Sequence, residues 1–161
     1  MLFNITILRS FLLVKTIVLL SLLVGFALPS LSHGDEAAVT AARQVMNDFI
    51  RTFNSRDESA WADTLLFPHV RIASGSVTVI PDKQTFVANT DMEKFAEEND
   101  WDFSEWDSIE LIQAGPDKVH FKVKFSRFNP RGERYVTFDS LYILQQVEGR
   151  WGIRARSSFA P

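Results

Sequence analysis

A chain of 161 residues with a formal net charge of −3 is long enough for one domain with its own core, and its weakly acidic balance argues against a polyanionic partner such as nucleic acid. It contains no cysteine, which excludes a disulfide framework, a lipoprotein anchor and a cysteine nucleophile. The charge is uneven: acidic residues dominate up to Pro116 and basic residues after it, a polarity that suits self-association.

The first segment, "MLFNITILRSFLLVKTIVLLSLLVGFALPSLSHGDE", places Arg9 and Lys15 before an apolar run from Ile17 to Leu28, then a proline and small residues. That layout predicts a secretory signal over residues 1–34, with Ser32 and Gly34 at the −3 and −1 positions of a cleavage before Asp35. The protein is then exported, periplasmic or secreted. An uncleaved N-terminal anchor, which alone would bring a membrane into play, is the alternative, because counting back through Lys15 to Phe11 lengthens the run.

Residues 35–161 read as the domain. Val39, Ala42, Met46, Phe49 and Phe53 recur at helical spacing between Glu36 and Asn54. Asp57 is a natural N-cap for a short second helix through Leu65. "FPHVRIASGSVTVI" reads as two strands around Ser74-Gly75-Ser76. Pro81 and Asp82 open a helical stretch that restarts at Thr90, where Thr90 and Glu93 have capping-box spacing. From about Ser104 long alternating strands follow, with turns at "AGPDK", "NPRG" and "EG". Helices first and an antiparallel meander after them define an α+β domain, with the helices on one face of a curved sheet.

Alternation also predicts the register. A four-residue loop over Asn129–Gly132 sets Phe125, Val123, Phe121 and Val119 opposite Val136, Phe138, Ser140 and Tyr142. A two-residue turn at Glu148-Gly149 sets Leu144, Tyr142, Ser140 and Phe138 opposite Ile153, Ala155, Ser157 and Phe159. A loop at Ala114–Lys118 brings Ile109 to Val123 and Leu111 to Phe121. Trp151, Ile153, Ala155 and Phe159 then face the helices, while Arg154 and Arg156 point away. On that outer face Glu110, Lys122, Asp139 and Ser158 form a cross-strand row, with Arg156 diagonal to Asp139. Trp106, Ile112, His120, Leu141 and Ile143 share the face, and this much apolar area predicts a partner surface, most simply a two-fold homodimer.

"FPHVRIASGSVTV", "KVHFKVKFSRFNPRGERY" and "YILQQVEGRWGIRARSSFA" together resemble the nuclear transport factor 2-like superfamily, and more narrowly the SnoaL-like bacterial proteins, over roughly Glu36 to Ala160. The resemblance implies a cone: a bent sheet wrapped around helices, with a pocket inside and, in many members, a dimer through the outer sheet face. The superfamily includes isomerases, cyclases, dehydratases and an epoxide hydrolase as well as members that only bind, so the fold alone assigns no chemistry.

The expected pocket lining is Trp61, Phe121, Arg127, Ser140, Tyr142 and Ser157, a mostly apolar wall with a few hydroxyls, suited to a small, largely apolar ligand. The serines are equally read as fillers where helices press close. Glu105 is expected opposite Arg127, with Asp107 diagonal and Arg134 on the next strand, either as an anion-orienting cluster or as a rim ion pair. Asp107, His69 and Tyr142 are the candidates for acid–base work should the domain be an enzyme of the isomerase, dehydratase or cyclase kind. A third reading is an interaction module docking another protein through the outer face. Scattered histidines without i, i+2 or i, i+4 spacing predict no metal site, and no phosphate-loop or nucleophile-elbow motif predicts a cofactor.

Overall fold

The computed structural model describes residues 33–161; the predicted export signal lies outside them except for His33 and Gly34, which open the first helix. Helix α1 spans His33–Asn54, and its buried stripe, Ala38, Ala42, Met46 and Phe49, repeats every three or four residues as an amphipathic helix requires. Helix α2 (Glu58–Ala62) is capped by Asp57, whose side chain accepts from the Ala60 N–H at 2.8 Å. It stops short of the expected Leu65, because Leu65 opens strand β1 and pairs with Ile153.

Strands β1 (Leu65–Ala73) and β2 (Ser76–Ile80) form the expected hairpin around Gly75, whose φ of 79° suits a residue without a Cβ. Helices α3 (Lys83–Ala88) and α4 (Met92–Asn99) follow. Asp91, not Thr90, caps α4: its carboxylate accepts from the Lys94 N–H at 2.9 Å, whereas the Thr90 hydroxyl donates back to the Phe86 carbonyl. Strands β3 (Phe103–Gly115), β4 (Lys118–Phe128), β5 (Arg134–Val147) and β6 (Arg150–Ser158) complete a six-stranded sheet in the order β2-β1-β6-β5-β4-β3. The β1–β6 pair is parallel and every other pair antiparallel.

The hairpin turns fall in the expected segments, but the β3–β4 connection is the two residues Pro116-Asp117 rather than a five-residue loop over Ala114–Lys118, and irregularities in the ladders change what faces inward. Between β4 and β5 the loop closes one residue tighter than expected, on Asn129 and Glu133, whose backbones bond at 3.0 Å. A further irregularity at Arg127/Phe128 leaves Tyr135 without an opposite residue. The net shift is two residues, so Phe125 meets Phe138 and Val123 meets Ser140, and the facing is preserved. Between β5 and β6 the Glu148-Gly149 turn, with φ of 51° and 80°, sets Leu144 opposite Ile153 as expected. Arg154 then intervenes as an extra residue: Ile143 pairs with Ala155 and Tyr142 with Arg156. This one-residue bulge inverts the rest of β6. Arg156 and Ser158 turn inward and Ser157 outward, the reverse of the expected facing. Arg156 therefore does not join Asp139 on the outer face.

Strand β3 carries two bulges. Asp107 is skipped between the Trp106–Phe125 and Ser108–Lys124 pairs, and Ile112 between the Leu111–Phe121 and Gln113–His120 pairs. The first turns Trp106 inward, correcting its assignment to the outer face: its indole N–H donates to the Met46 carbonyl at 3.1 Å. The core joins the α1 stripe to Val119, Phe121 and Val123 of β4, Tyr142 and Leu144 of β5, and Ile153 of β6. Each large side chain so buried contributes roughly 1.5–3 kcal/mol relative to exposure.

Candidate functional site

Inside the cone lies a cavity of about 560 Å³, within the range of roughly 300–1,000 Å³ usual for small-molecule sites. Its walls are aromatic. Phe49 and Phe53 come from α1, Trp61 from α2, Phe86 and Phe95 from α3 and α4, and Trp106, Phe125 and Tyr142 from the sheet. Trp61 stands edge-on to Phe49, Phe53 and Phe86, with ring centroids 5.6, 4.9 and 4.9 Å away, so the helices and the sheet share one continuous ring cluster.

Three guanidinium groups enter this apolar space. Arg71 from β1, Arg127 from β4 and Arg156 from β6 all line the cavity. Arg127 is only 8% exposed, and its guanidinium carbon lies 4.9 Å from the Phe95 ring centroid and 5.2 Å from that of Phe138. Arg156 sits 5.7 Å from Phe49 and 5.8 Å from Trp61. Ring faces stabilise these cations without occupying their N–H edges. Among the described residues, no ion pair joins Arg71, Arg127 or Arg156 to a side-chain carboxylate. Arg71 donates to the Pro161 main-chain oxygen. Burial, then the charges of Arg156 and Arg127, pulls the Arg71 pKa below its ordinary value; burial does the same to Arg127.

His69 is 1% exposed and lines the same cavity. Its Nδ1 lies 3.0 Å from the Ile153 carbonyl oxygen. A carbonyl only accepts, so Nδ1 carries the proton and Nε2 holds the lone pair. Burial first, and the nearby Arg156 charge second, push the His69 pKa down to about 4. Tyr142 is fully enclosed; burial raises its phenol pKa, and Arg156, opposite it and within hydrogen-bonding reach, partly offsets that rise.

Of the residues singled out in the sequence, Trp61, Arg127, Tyr142 and His69 line this cavity. Phe121 and Ser140 are buried beside it rather than in its wall: Arg43 covers the Phe121 ring, and Ser140 donates to the Ser158 hydroxyl at 2.8 Å. Ser157 is replaced in the wall by Ser158 because of the β6 bulge. Asp107 is not in the cavity wall. The bulge hands it to the Ser126 hydroxyl at 2.6 Å and to Arg134 at 3.1 Å. Glu105 pairs with Ser126, so the expected Glu105–Arg127 ion pair does not form. Trp106 and Arg156, both assigned to the outer face, belong to the cavity.

Ile112 and Leu141, each 48% exposed, remain outside with His120 and Ile143, which pair with each other across β4 and β5. His120 bonds the Gln113 side chain at 2.9 Å. Sequence reasoning missed Arg71 as a lining residue. It also missed the α3–α4 wall.

A cone of helices and bent sheet enclosing such a cavity defines the nuclear transport factor 2-like class. The chain belongs to the family described as NTF2-like protein (DUF6841), whose model matches residues 35–159. None of the curated proteins matches it. Solved structures share the fold at low identity. A Nostoc punctiforme protein of unknown function with a cystatin-like fold superposes with a TM-score of 0.62 at 9% identity, covering 83% of this chain and 96% of its own. An NTF2-like protein from Novosphingobium aromaticivorans gives 0.63 at 8% identity, with 78% and 82% covered. A Catenulispora acidiphila protein, solved in complex with S-DNPA, gives 0.61 at 12% identity, with 77% and 93% covered.

Proposed function

We propose that this is an exported domain that binds a small, mostly apolar molecule inside its cone. The observation that carries the reading is the aromatic cavity of about 560 Å³, large enough for a drug-sized ligand and walled mainly by rings. That a protein of similar fold was solved in complex with S-DNPA supports a binding role. Binding is favoured over turnover by the chemistry of the wall. With Asp107 outside and the wall carboxylate of Asp91 engaged as a helix cap, the remaining candidates are a histidine pushed down to about pKa 4 and a tyrosine pushed up. Neither matches the near-neutral pKa that general base catalysis at neutral pH favours.

Native mass spectrometry of the protein expressed from its full sequence and gently purified tests this reading. Extra mass that is released on denaturation is the expected result, and the chain mass itself reports whether export removes residues 1–34. An empty cavity that also accepts none of a panel of aromatic small molecules contradicts it.

The outer face supports a further part of the proposal. Ile112 and Leu141 stand exposed beside Ile143 and His120, an apolar patch suited to a two-fold contact between copies of this chain.

A further inference from the structure

Among the described residues, three buried side-chain nitrogens lack a hydrogen-bond partner: Trp61 Nε1, Arg127 Nε and Arg156 Nε. All three belong to residues that line the same cavity. All three are donors only. A buried donor left unpaired is costly, more so when it is charged, and calls for an explanation.

The charge balance points the same way. Arg71, Arg127 and Arg156 share an aromatic enclosure, and the guanidinium groups of Arg127 and Arg156 lie over ring faces, contacts that use none of their N–H groups. The single side-chain carboxylate in the wall, Asp91, is already engaged as the cap of α4, and the Pro161 main-chain oxygen is taken by Arg71. From this arrangement we infer that the ligand is an organic anion: an apolar, ring-bearing body ending in a carboxylate or similar oxyanion, with the acceptor oxygens meeting Arg127 and Arg156. This rests on the cavity reading and narrows it. A purely apolar ligand would bury against the guanidinium groups of Arg127 and Arg156 and offer them no acceptor. A guanidinium presents paired N–H groups that match the two oxygens of a carboxylate.

The test compares two probes with one body, 6-phenylhexanoate and 6-phenylhexan-1-ol, by isothermal titration against the full protein and against Arg127→Gln and Arg156→Gln. The carboxylate is expected to bind at least tenfold tighter than the alcohol. Each substitution should shrink that preference to within about threefold, while Arg127→Lys keeps part of it. Equal binding of the two probes to the unsubstituted protein overturns the anion assignment and leaves the cavity reading standing. Binding of neither probe overturns both. The comparison on the unsubstituted protein does not depend on how well any variant folds.

Discussion

Arg156 stands directly opposite Tyr142 across the β5–β6 pair, inside the cone, although simple alternation along β6 directs it outward. The extra residue at Arg154 makes the difference. Its guanidinium fills the carbonyls of Phe67 and Pro68, at 2.6 and 3.2 Å, where β1 leaves the ladder between Leu65 and Val70. The place of Arg156 in the cavity's cationic wall is therefore a consequence of one bulge.

If Arg156 serves a ligand rather than the fold, Arg156→Met should leave the ligand-free protein as stable as before, or more stable by about 1 kcal/mol. Replacing a buried, incompletely paired cation by an apolar group of similar length is often neutral or stabilising. Thermal or urea unfolding measures it. A loss of more than about 2 kcal/mol would make Arg156 a structural residue.

His69 makes stability depend on acid. Its folded pKa of about 4 lies below the ordinary 6.5, so the unfolded chain binds the extra proton first. The contribution is fully present above pH 6.5 and lost progressively as pH falls toward 4, with a maximum of roughly 3 kcal/mol. Urea unfolding between pH 4 and 8 should show this slope, and it should flatten in His69→Gln. A His69 ring that titrates near 6.5 by NMR contradicts the burial argument.

Gly152 lies where β6 passes the start of β1. A Cβ there would sit 2.9 Å from a Leu66 side-chain carbon and 3.3 Å from the Leu65 and Thr64 backbone. Leu66 can shift, but the two backbone atoms, one of them the Thr64 oxygen that accepts from the Ile153 N–H at 2.9 Å, yield less easily. Gly152→Ala is expected to destabilise by about 1–3 kcal/mol, the usual range for overpacking. Unchanged unfolding would show that this crossing is looser than drawn.

Leu141→Glu puts a charge at the centre of the outer apolar patch without touching the cavity. Sedimentation velocity should show a dimer in the parent protein and a monomer in the variant, with probe binding retained in both. A parent protein that is monomeric at every concentration removes the self-association proposal.

Much of the fold was legible because its signals are local and repeated. The α1 stripe, the Asp57 cap and the turns at Gly75 and Glu148-Gly149 each follow from a few adjacent residues. The site was less legible because its side chains lie beyond bulges, and extrapolating period-two alternation across a bulge inverts everything after it. Asp107 and Trp106 exchange places this way, as do Ser157 and Ser158. Small residues such as Ala155 and Ser157 fit either face, so the β6 pattern gave no warning. A faint signal lay in Pro68, which lacks an N–H for the ladder and marks where the partner strand departs from regular pairing. Nor does a sequence-level burial bias place Arg127 or Arg156 indoors, since arginine is among the side chains least often buried.

The most direct test of the cationic, ring-lined cavity is a crystal structure of the protein with 6-phenylhexanoate. The expected result is one molecule inside the cone, its carboxylate within hydrogen-bond distance of Arg127 or Arg156 and its ring against Trp61 and Phe95. A ligand lying on the outer sheet face, or held in the cone with its carboxylate turned away from all three arginines, would contradict it.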